Sequence, residues 1–594
     1  MTKKYYPTGN EYVALPTINE QGAIESLNTL SMRDRGVLEM TGEPFLAPWI
    51  KVDGEVMPME DLAWDWESYW IPTFRIENNG VSILGRYVAP SDTKGWFFQI
   101  QLQTDDPKKE VEVGWKGHFG PVLHSINESK PVVGDRVVYS SLWNQGLVYD
   151  FRTGVTKFSF AFLTESGFDS ESWDEENQSF SMSRKVDWKA NDEGGTASLN
   201  LFMGIGLEEV GAVTQAIHMQ RETAEHLAGQ LQSWLDKRIM TFEDKHIEKI
   251  YNLNQFFNYF YATGRTLDTE DLVLCTSRSP RYYVSAAYWD RDSLIWSFPA
   301  LLRTDEKTAK EALTYVFTKQ IRNIGTHSRY IDGTVLEPGF ELDELCAPLL
   351  ALEQYFAQTG DVRFLQEDFI ERGIERIVNR LMEWKHESLD LFGTFLMPTD
   401  DMRVYPYLAY NNVLVWKVLN FLASLPGEKW QAMKELAEKV KAAVMENMVV
   451  ELDGKQLFAW SVDGKGNFDF YDEPPGSLTL LAHYGFVGTE DQVFLNTVDR
   501  LYSEKFPHYF KDAQFEELGC SHADHPWILG VCNSLLNGRK DIALDILKRT
   551  QMDNYIACES IDEETGLWVT GAHFATCAGF LVHALATAEK EVDK

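Results

Sequence analysis

Polar and apolar residues alternate along the first part of the chain. Phe98, Ile100 and Leu102 are interleaved with Gln99, Gln101 and Gln103. Val111 and Val113 are interleaved with Glu110 and Glu112, and Phe158, Phe160 and Phe162 repeat the device. A period of two puts successive side chains on opposite faces, the mark of a half-buried strand. Turn-forming clusters, Asn78-Asn79-Gly80 and Asp105-Asp106-Pro107, separate these runs. Ala197 to Leu207 reads as the last strand, so residues 1–207 are expected to form an antiparallel β-sandwich.

The period then changes. From about Gly211 to Arg238 the apolar positions Leu227, Leu231, Trp234 and Leu235 share one helical face, and residues 208–241 read as a helical linker. Beyond Phe242 amphipathic helices dominate. Asp361 is placed to cap a helix with Ile370, Ile374, Ile377 and Leu381 on its buried side. Trp430, Met433, Leu436, Ala437, Val440 and Val444 mark another, and Pro526 opens one that ends near Gly538. About twelve such segments, in pairs, fit between 242 and the C-terminus. No fixed sequence period supports an open solenoid. The expected architecture is multidomain β + α: a sandwich, then an (α/α)6 toroid over 242–594 formed by six helical hairpins.

Composition narrows the partners. A formal charge of −35 disfavours nucleic acid and anionic membranes, and it suits a neutral or cationic ligand. Eighteen Trp, 24 Tyr and 35 Phe serve large cores, and some can serve as stacking platforms for sugar rings. The start of the chain shows no apolar signal segment, and no stretch approaches the roughly 20 apolar residues of a membrane span. Cysteines 275, 346, 520, 532, 558 and 577 lack CxxC pairing and read as buried thiols. A cytoplasmic protein is the expectation; oligomeric state is not legible.

Four acidic loops, each just before an expected helix, carry the candidate chemistry. Trp289-Asp290-Arg291-Asp292-Ser293 places a guanidinium beside a carboxylate, suited to charged hydrogen bonds with sugar hydroxyls, or to a helix-entry salt bridge. Glu341-Leu342-Asp343-Glu344 supplies three carboxylates, and Asp343 and Glu344 also suit a helix N-terminus. Pro398-Thr399-Asp400-Asp401 has two adjacent carboxylates, a setting that keeps one proton on near neutral pH; an N-cap with a solvated neighbour is the alternative. Cys558-Glu559-Ser560 embeds a carboxylate among apolar and small residues, where it needs a partner or a task.

In order and spacing these segments resemble the six-hairpin glycosidases, most closely glycoside hydrolase family 125, the exo-α-mannosidases. Trp289 to Ser293 resembles that family's Trp-x-Arg-Asp-Ser loop, and Glu341 to Cys346 its Glu-Leu-Asp-Ser-Leu-Cys segment. Pro398 to Asp401, with Tyr407-Leu408 and Asn411, resembles its Pro-Ser-Asp-Asp loop, and Glu559-Ser560-Ile561 its Glu-Ser-Phe. Glu559, Asp562, Thr565 and Gly566 also resemble a glucoamylase run, and the N-terminal β region is similar to the sandwich of bacterial glucoamylases. The resemblance implies Asp400 as general acid and Glu559 as general base. It implies Trp289, Arg291, Asp292, Glu341, Asp343, Asp401, Asp472 and His522 as substrate-binding residues, with no metal and no cofactor. The chain departs from family 125 at Asp472-Glu473-Pro474-Pro475, at Gly519 to Pro526 and at Thr570 to Cys577.

The expected function is an exo-acting inverting glycoside hydrolase. It releases a terminal sugar, mannose first and glucose second, from an α-linked oligosaccharide. Two alternatives stand beside it. An inverting disaccharide phosphorylase would attack with phosphate, and it is opposed by Glu559 and by the lack of a compact Arg/Lys cluster. A non-catalytic carbohydrate-binding protein would not need two separated loop carboxylates. Asp401 remains an alternative to Asp400 as the acid.

Overall fold

The structure, a computed structural model, describes residues 3–191 and 194–592. It divides into two compact units. One holds the chain up to Thr241 together with Thr263–Val273 and Ser277–Ala286; the other holds Phe242–Ala262, Leu274–Thr276 and the chain from Ala287 onward.

Among the described residues the first unit contains a ten-stranded and a nine-stranded antiparallel sheet. The long strand Gly36–Val52 ties the first sheet together by pairing with Ile24–Ser31, Val111–His118 and Val122–Ile126. In the second sheet Phe98 stands opposite Leu201 and Tyr87. The two inner faces meet through aromatic pairs: Phe45 with Phe160 at 5.6 Å, Phe119 with Tyr149 at 5.1 Å, and Phe162 with Phe180 at 5.7 Å between ring centroids. Edge and offset ring contacts of this kind carry much of a sandwich core.

Residues 209–236, expected to be a helical linker, are helical and pack on the first unit. They make two helices, Glu209–Glu222 and Ala224–Asp236, parted at Thr223, whose φ of 68° breaks the run. The first lies directly on the last strand, Gly194–Gly206. A Cβ on Gly204 would stand 2.2 Å from the Ala212 carbonyl oxygen, and one on Gly206 would stand 2.7 Å from the Ala212 nitrogen. Glycine is what permits this approach. The second helix covers part of the polar face of the sheet. Gln99, expected to face solvent, is buried there, accepting from Arg86 Nη1 at 2.9 Å and reaching Glu225 at 3.4 Å.

In the second unit six helical elements pack neighbour to neighbour in a closed ring. They are the π-helical turn Arg291–Ser297 with Phe298–Thr304, then Leu342–Thr359, Ala409–Ser424, the 3-10 turn Leu478–Leu480, Ile528–Leu536 and Ala575–Val592, which returns to the first. Six more helices alternate with these along the chain: Lys245–Tyr261, Glu306–Thr318, Asp368–Glu383, Met433–Asn447, Gln492–Leu501 and Lys540–Arg549. The helix Asp368–Glu383 shows why the pattern was readable. Ile370, Ile374, Ile377 and Leu381 are buried, and charged residues fill the other face. Asp361 does not cap it; the Asp361 carboxylate accepts from Phe364 N at 3.1 Å and caps the single turn Val362–Leu365, after which a second start intervenes.

The ring is closed by a polar clasp. Asn258 donates to Ser297 Oγ at 2.6 Å and to the Ala575 carbonyl at 3.0 Å, tying the last helix to the first. At the same point a Cβ on Gly579 would stand 2.6 Å from Asn258 Nδ2 and 2.7 Å from Ser297 Cα. Gly579→Ala is therefore expected to lower stability by about 1–3 kcal/mol, the usual cost of overpacking a core. Chemical denaturation checks this; an unchanged midpoint would show that the closure tolerates a methyl group.

Candidate active site

The loop before each inner helix carries polar residues, and several of these loops meet around one guanidinium. Arg291 begins the π-helical turn, a backbone form that often marks functional positions. Its Nη1 lies 2.5 Å from Glu341 Oε2, 3.1 Å from Asp343 Oδ2 and 3.6 Å from Glu344 Oε1; its Nη2 lies 2.8 Å from Asp400 Oδ1. Burial alone would strip the charge from Arg291, but these carboxylates raise its pKa well above the usual value. Four carboxyls around one cation cannot all ionise cheaply. Burial first, then the neighbouring charges, pushes Glu341 and Glu344 well above the carboxylate range, so the cluster retains protons at neutral pH.

A second buried arginine braces the same turn. Arg329 pairs with Asp290, which also accepts from the Tyr288 hydroxyl, while the Asp290 amide donates to Glu344. Beside them Asp292 accepts from Thr576 Oγ1 at 3.1 Å and approaches Arg291 Nε at 3.8 Å. Burial raises its pKa to about 7, and Arg291 partly offsets this.

Asp400 stands at the open end of the cluster. Its side chain is 33% exposed, whereas those of Glu341, Asp343 and Glu344 are fully enclosed. Its backbone is left-handed, with φ of 65°, in a turn closed by Asp400 N to Met397 O at 2.9 Å and Met397 N to Asp401 O at 2.8 Å. Trp289 Nε1 donates to the same Oδ1 that Arg291 holds, at 3.3 Å. Asp401 turns the other way and pairs with His522 Nδ1 at 3.0 Å, with both side chains partly exposed.

Glu559 lies on a different loop, 2% exposed, and its Oε1 accepts from Thr570 Oγ1 at 3.1 Å. Two buried thiols, Cys520 and Cys577, lie near this region. Burial pushes both thiols upward, and the nearby Glu559 adds to the effect. All six cysteines are buried thiols outside any disulfide, as their spacing suggested.

Not every expected residue takes the place foreseen. Asp472 was read as a sugar contact, but both its oxygens are spent inside its own loop, on Ser477 Oγ and Leu478 N, each at 2.7 Å. Arg291 was read as gripping hydroxyls, but both its terminal nitrogens are occupied by carboxylates. Other members were not foreseen. Glu473 is fully buried against Thr399, His327 lies 3.5 Å from Glu341, and Arg329 backs Asp290. Each is singled out by a partner remote in sequence, and only Glu473 adjoined a loop already noted.

Among the described residues one group, His327, Glu341 and Asp400, offers ligand atoms close enough together for a metal ion. Arg291 already supplies the positive charge to Glu341 and Asp400 at hydrogen-bond distance, and a divalent ion placed there would stand against a guanidinium. Burial also lowers the His327 pKa, so the imidazole adds no cation of its own. The donor set fits a resident arginine better than a metal.

Residues 385–585 match the family model described as metal-independent alpha-mannosidase (GH125). Three solved structures share the fold. A Streptococcus pneumoniae metal-independent α-mannosidase, in a non-productive complex with α-1,6-mannobiose, is 16% identical with a TM-score of 0.53; the match covers 62% of this chain and 99% of that one. A bacterial glucoamylase complexed with acarbose is 12% identical with a TM-score of 0.62, covering 99% and 95%. A candidate kojibiose phosphorylase from the human microbiome is 11% identical with a TM-score of 0.61, covering 98% and 86%. No curated protein sequence matches the chain significantly. The sandwich-plus-toroid architecture and the likeness to the six-hairpin glycosidases are as expected from the sequence, and together these matches support a glycoside hydrolase.

The buried acids set a pH signature. Burial raises the Asp472 pKa to about 7, whereas the unfolded chain would ionise it near 3.9. Between these values the folded state binds more protons, so stability falls as pH rises from about 4 to about 7. The full effect of one such group is about 4 kcal/mol at most. Asp472→Asn keeps partners for Ser477 and Leu478 but cannot ionise. Its melting temperature relative to wild type should rise between pH 5 and pH 8; a constant difference would show that Asp472 ionises normally in the fold.

Proposed function

We propose that the chain is an exo-acting, inverting glycoside hydrolase that removes a terminal sugar from α-linked oligosaccharides, mannose first and glucose second. Asp400 is the general acid and Glu559 the general base. The observation that carries this reading is the one-sided binding of Asp400. Two donors, Arg291 and Trp289, both approach Oδ1. Oδ2 is therefore the oxygen left to meet a glycosidic oxygen. Asp401 has no such support, since its carboxyl is directed to His522.

Glu559 serves the other half of the reaction. Thr570 orients its carboxylate, and a water held by it attacks the anomeric carbon from the face opposite the leaving group. The transition state is oxocarbenium-like, and configuration inverts. The Asp292 carboxyl, which unlike Glu341 and Asp343 keeps a little exposure beside Arg291, suits a hydroxyl of an unsubstituted sugar end, which favours exo action. Arg291 then acts by holding that acceptor in place. The preference for mannose is supported by the matched family model and by the mannobiose-bound relative; the glucoamylase likeness supports glucose as second choice.

The phosphorylase reading is favoured only by the breadth of the third structural match. A phosphate nucleophile needs a cation beside it, and Arg291 is already committed to carboxylates.

Aryl α-mannosides and α-glucosides provide the test. Asp400→Asn and Glu559→Gln should each lower kcat by about 10²-fold or more with the fold intact. Asp401→Asn should be mild, and inorganic phosphate should not stimulate turnover. Near-wild-type turnover in both primary variants would refute the assignment, and phosphate-dependent release of a sugar phosphate would establish the alternative reaction.

A further inference from the structure

The strained turn that presents Asp400 is docked on a second loop at two adjacent points. Thr399 Oγ1 lies 2.9 Å from Glu473 Oε2. Three residues further on, a Cβ at Gly476 would stand 2.5 Å from Pro398 Cγ, so the loop backbone lies directly against the residue before Thr399. That second loop is itself rigid. Asp472 binds Ser477 and Leu478, Asn533 Nδ2 donates to the Pro474 carbonyl at 2.9 Å, and Pro474-Pro475 restricts the backbone. The contacts at Thr399 and Pro398 fix the segment just before Asp400, whose backbone is left-handed. Glu473 does not reach solvent, and its Oε1 has no hydrogen-bond partner among the described residues. It is therefore placed to act on the neighbouring loop and not on a ligand.

We propose that Glu473 is a positioning residue that, through Thr399, locks the left-handed turn of Asp400 so that its Oδ2 is aimed at the leaving oxygen. It does so as a neutral acid. Burial holds its carboxyl well above the ordinary range; with the proton on Oε1, Oε2 accepts from Thr399 Oγ1, and with the proton on Oε2 it donates to that oxygen. An ionised carboxylate at this depth would lack enough donors. The inference rests on Asp400 being the acid, and the experiment separates the two claims.

The test compares α-mannosides with poor leaving groups (alkyl or disaccharide) against an activated dinitrophenyl α-mannoside, which needs little protonation. Glu473→Ala and Thr399→Val should each lower kcat on the poor substrates by about 10- to 100-fold, the scale of a misaimed catalytic group. KM and turnover of the activated substrate should change little. The double variant should be no worse than either single one, and Glu473→Gln should restore activity because an amide can make the same bond to Thr399. If Glu473→Ala fails to fold, Thr399→Val breaks the bond from the other side. An equal loss on both substrates, or a Gln variant as impaired as the Ala variant, overturns the inference. Asp400→Asn is run alongside. Full activity there would sink the acid assignment itself, whereas a crippled Asp400→Asn beside a loss in Glu473→Ala that ignores the leaving group would sink the positioning role alone.

Discussion

One buried guanidinium organises the catalytic unit. Arg291 is surrounded by Glu341, Asp343, Glu344 and Asp400, drawn from two segments other than its own. Removing a single charge from water costs several kcal/mol, and one cation cannot neutralise four anions. The arrangement is tolerable only because part of the cluster stays protonated and because Arg329 offsets Asp290 directly behind it. Such a cluster is a poor source of net stability. Its value is geometric: it draws three helix-entry segments to one point and leaves the Asp400 carboxyl at the exposed edge.

The rest of the unit serves that requirement. A closed ring of six inner elements brings the start of each helix to the same end, and the Asn258 clasp with Gly579 fixes where the ring closes. The loop of Asp472 to Ser477 spends its own carboxylate on becoming rigid, and a rigid loop can then brace its neighbour. The acidic surface of the chain is compatible with this design, because a neutral sugar pays no electrostatic penalty on approach.

Local patterning carried most of the fold. Strand alternation and the isoleucine stripe of Asp368–Glu383 are signals contained within a few residues. What escaped was tertiary. Gln99 alternates as an exposed residue yet lies under a helix that begins over a hundred positions later. The helical segment after Leu207 looked like a linker because nothing local shows that Gly204 and Gly206 admit the helix Glu209–Glu222 against their strand. The site divides in the same way. Trp289, Arg291, Asp292, Glu341, Asp343 and Asp400 sit in short motifs and were legible, although the first five fall outside the residues matched by the family model. Glu473, His327 and Arg329 matter through a partner far along the chain, and no spacing rule reports that. Asp472 shows the converse: an acid in a suggestive loop whose oxygens are consumed by its own turn.

The central claim is that a base-held water attacks opposite an acid-assisted departure, and the stereochemistry of the first product reports on it most directly. A time course by proton NMR, started with an α-linked manno-disaccharide and read before mutarotation, should show the β-anomer of the released sugar first. Initial release of the α-anomer would contradict the account, because it requires a covalent glycosyl intermediate and a second displacement at the same carbon.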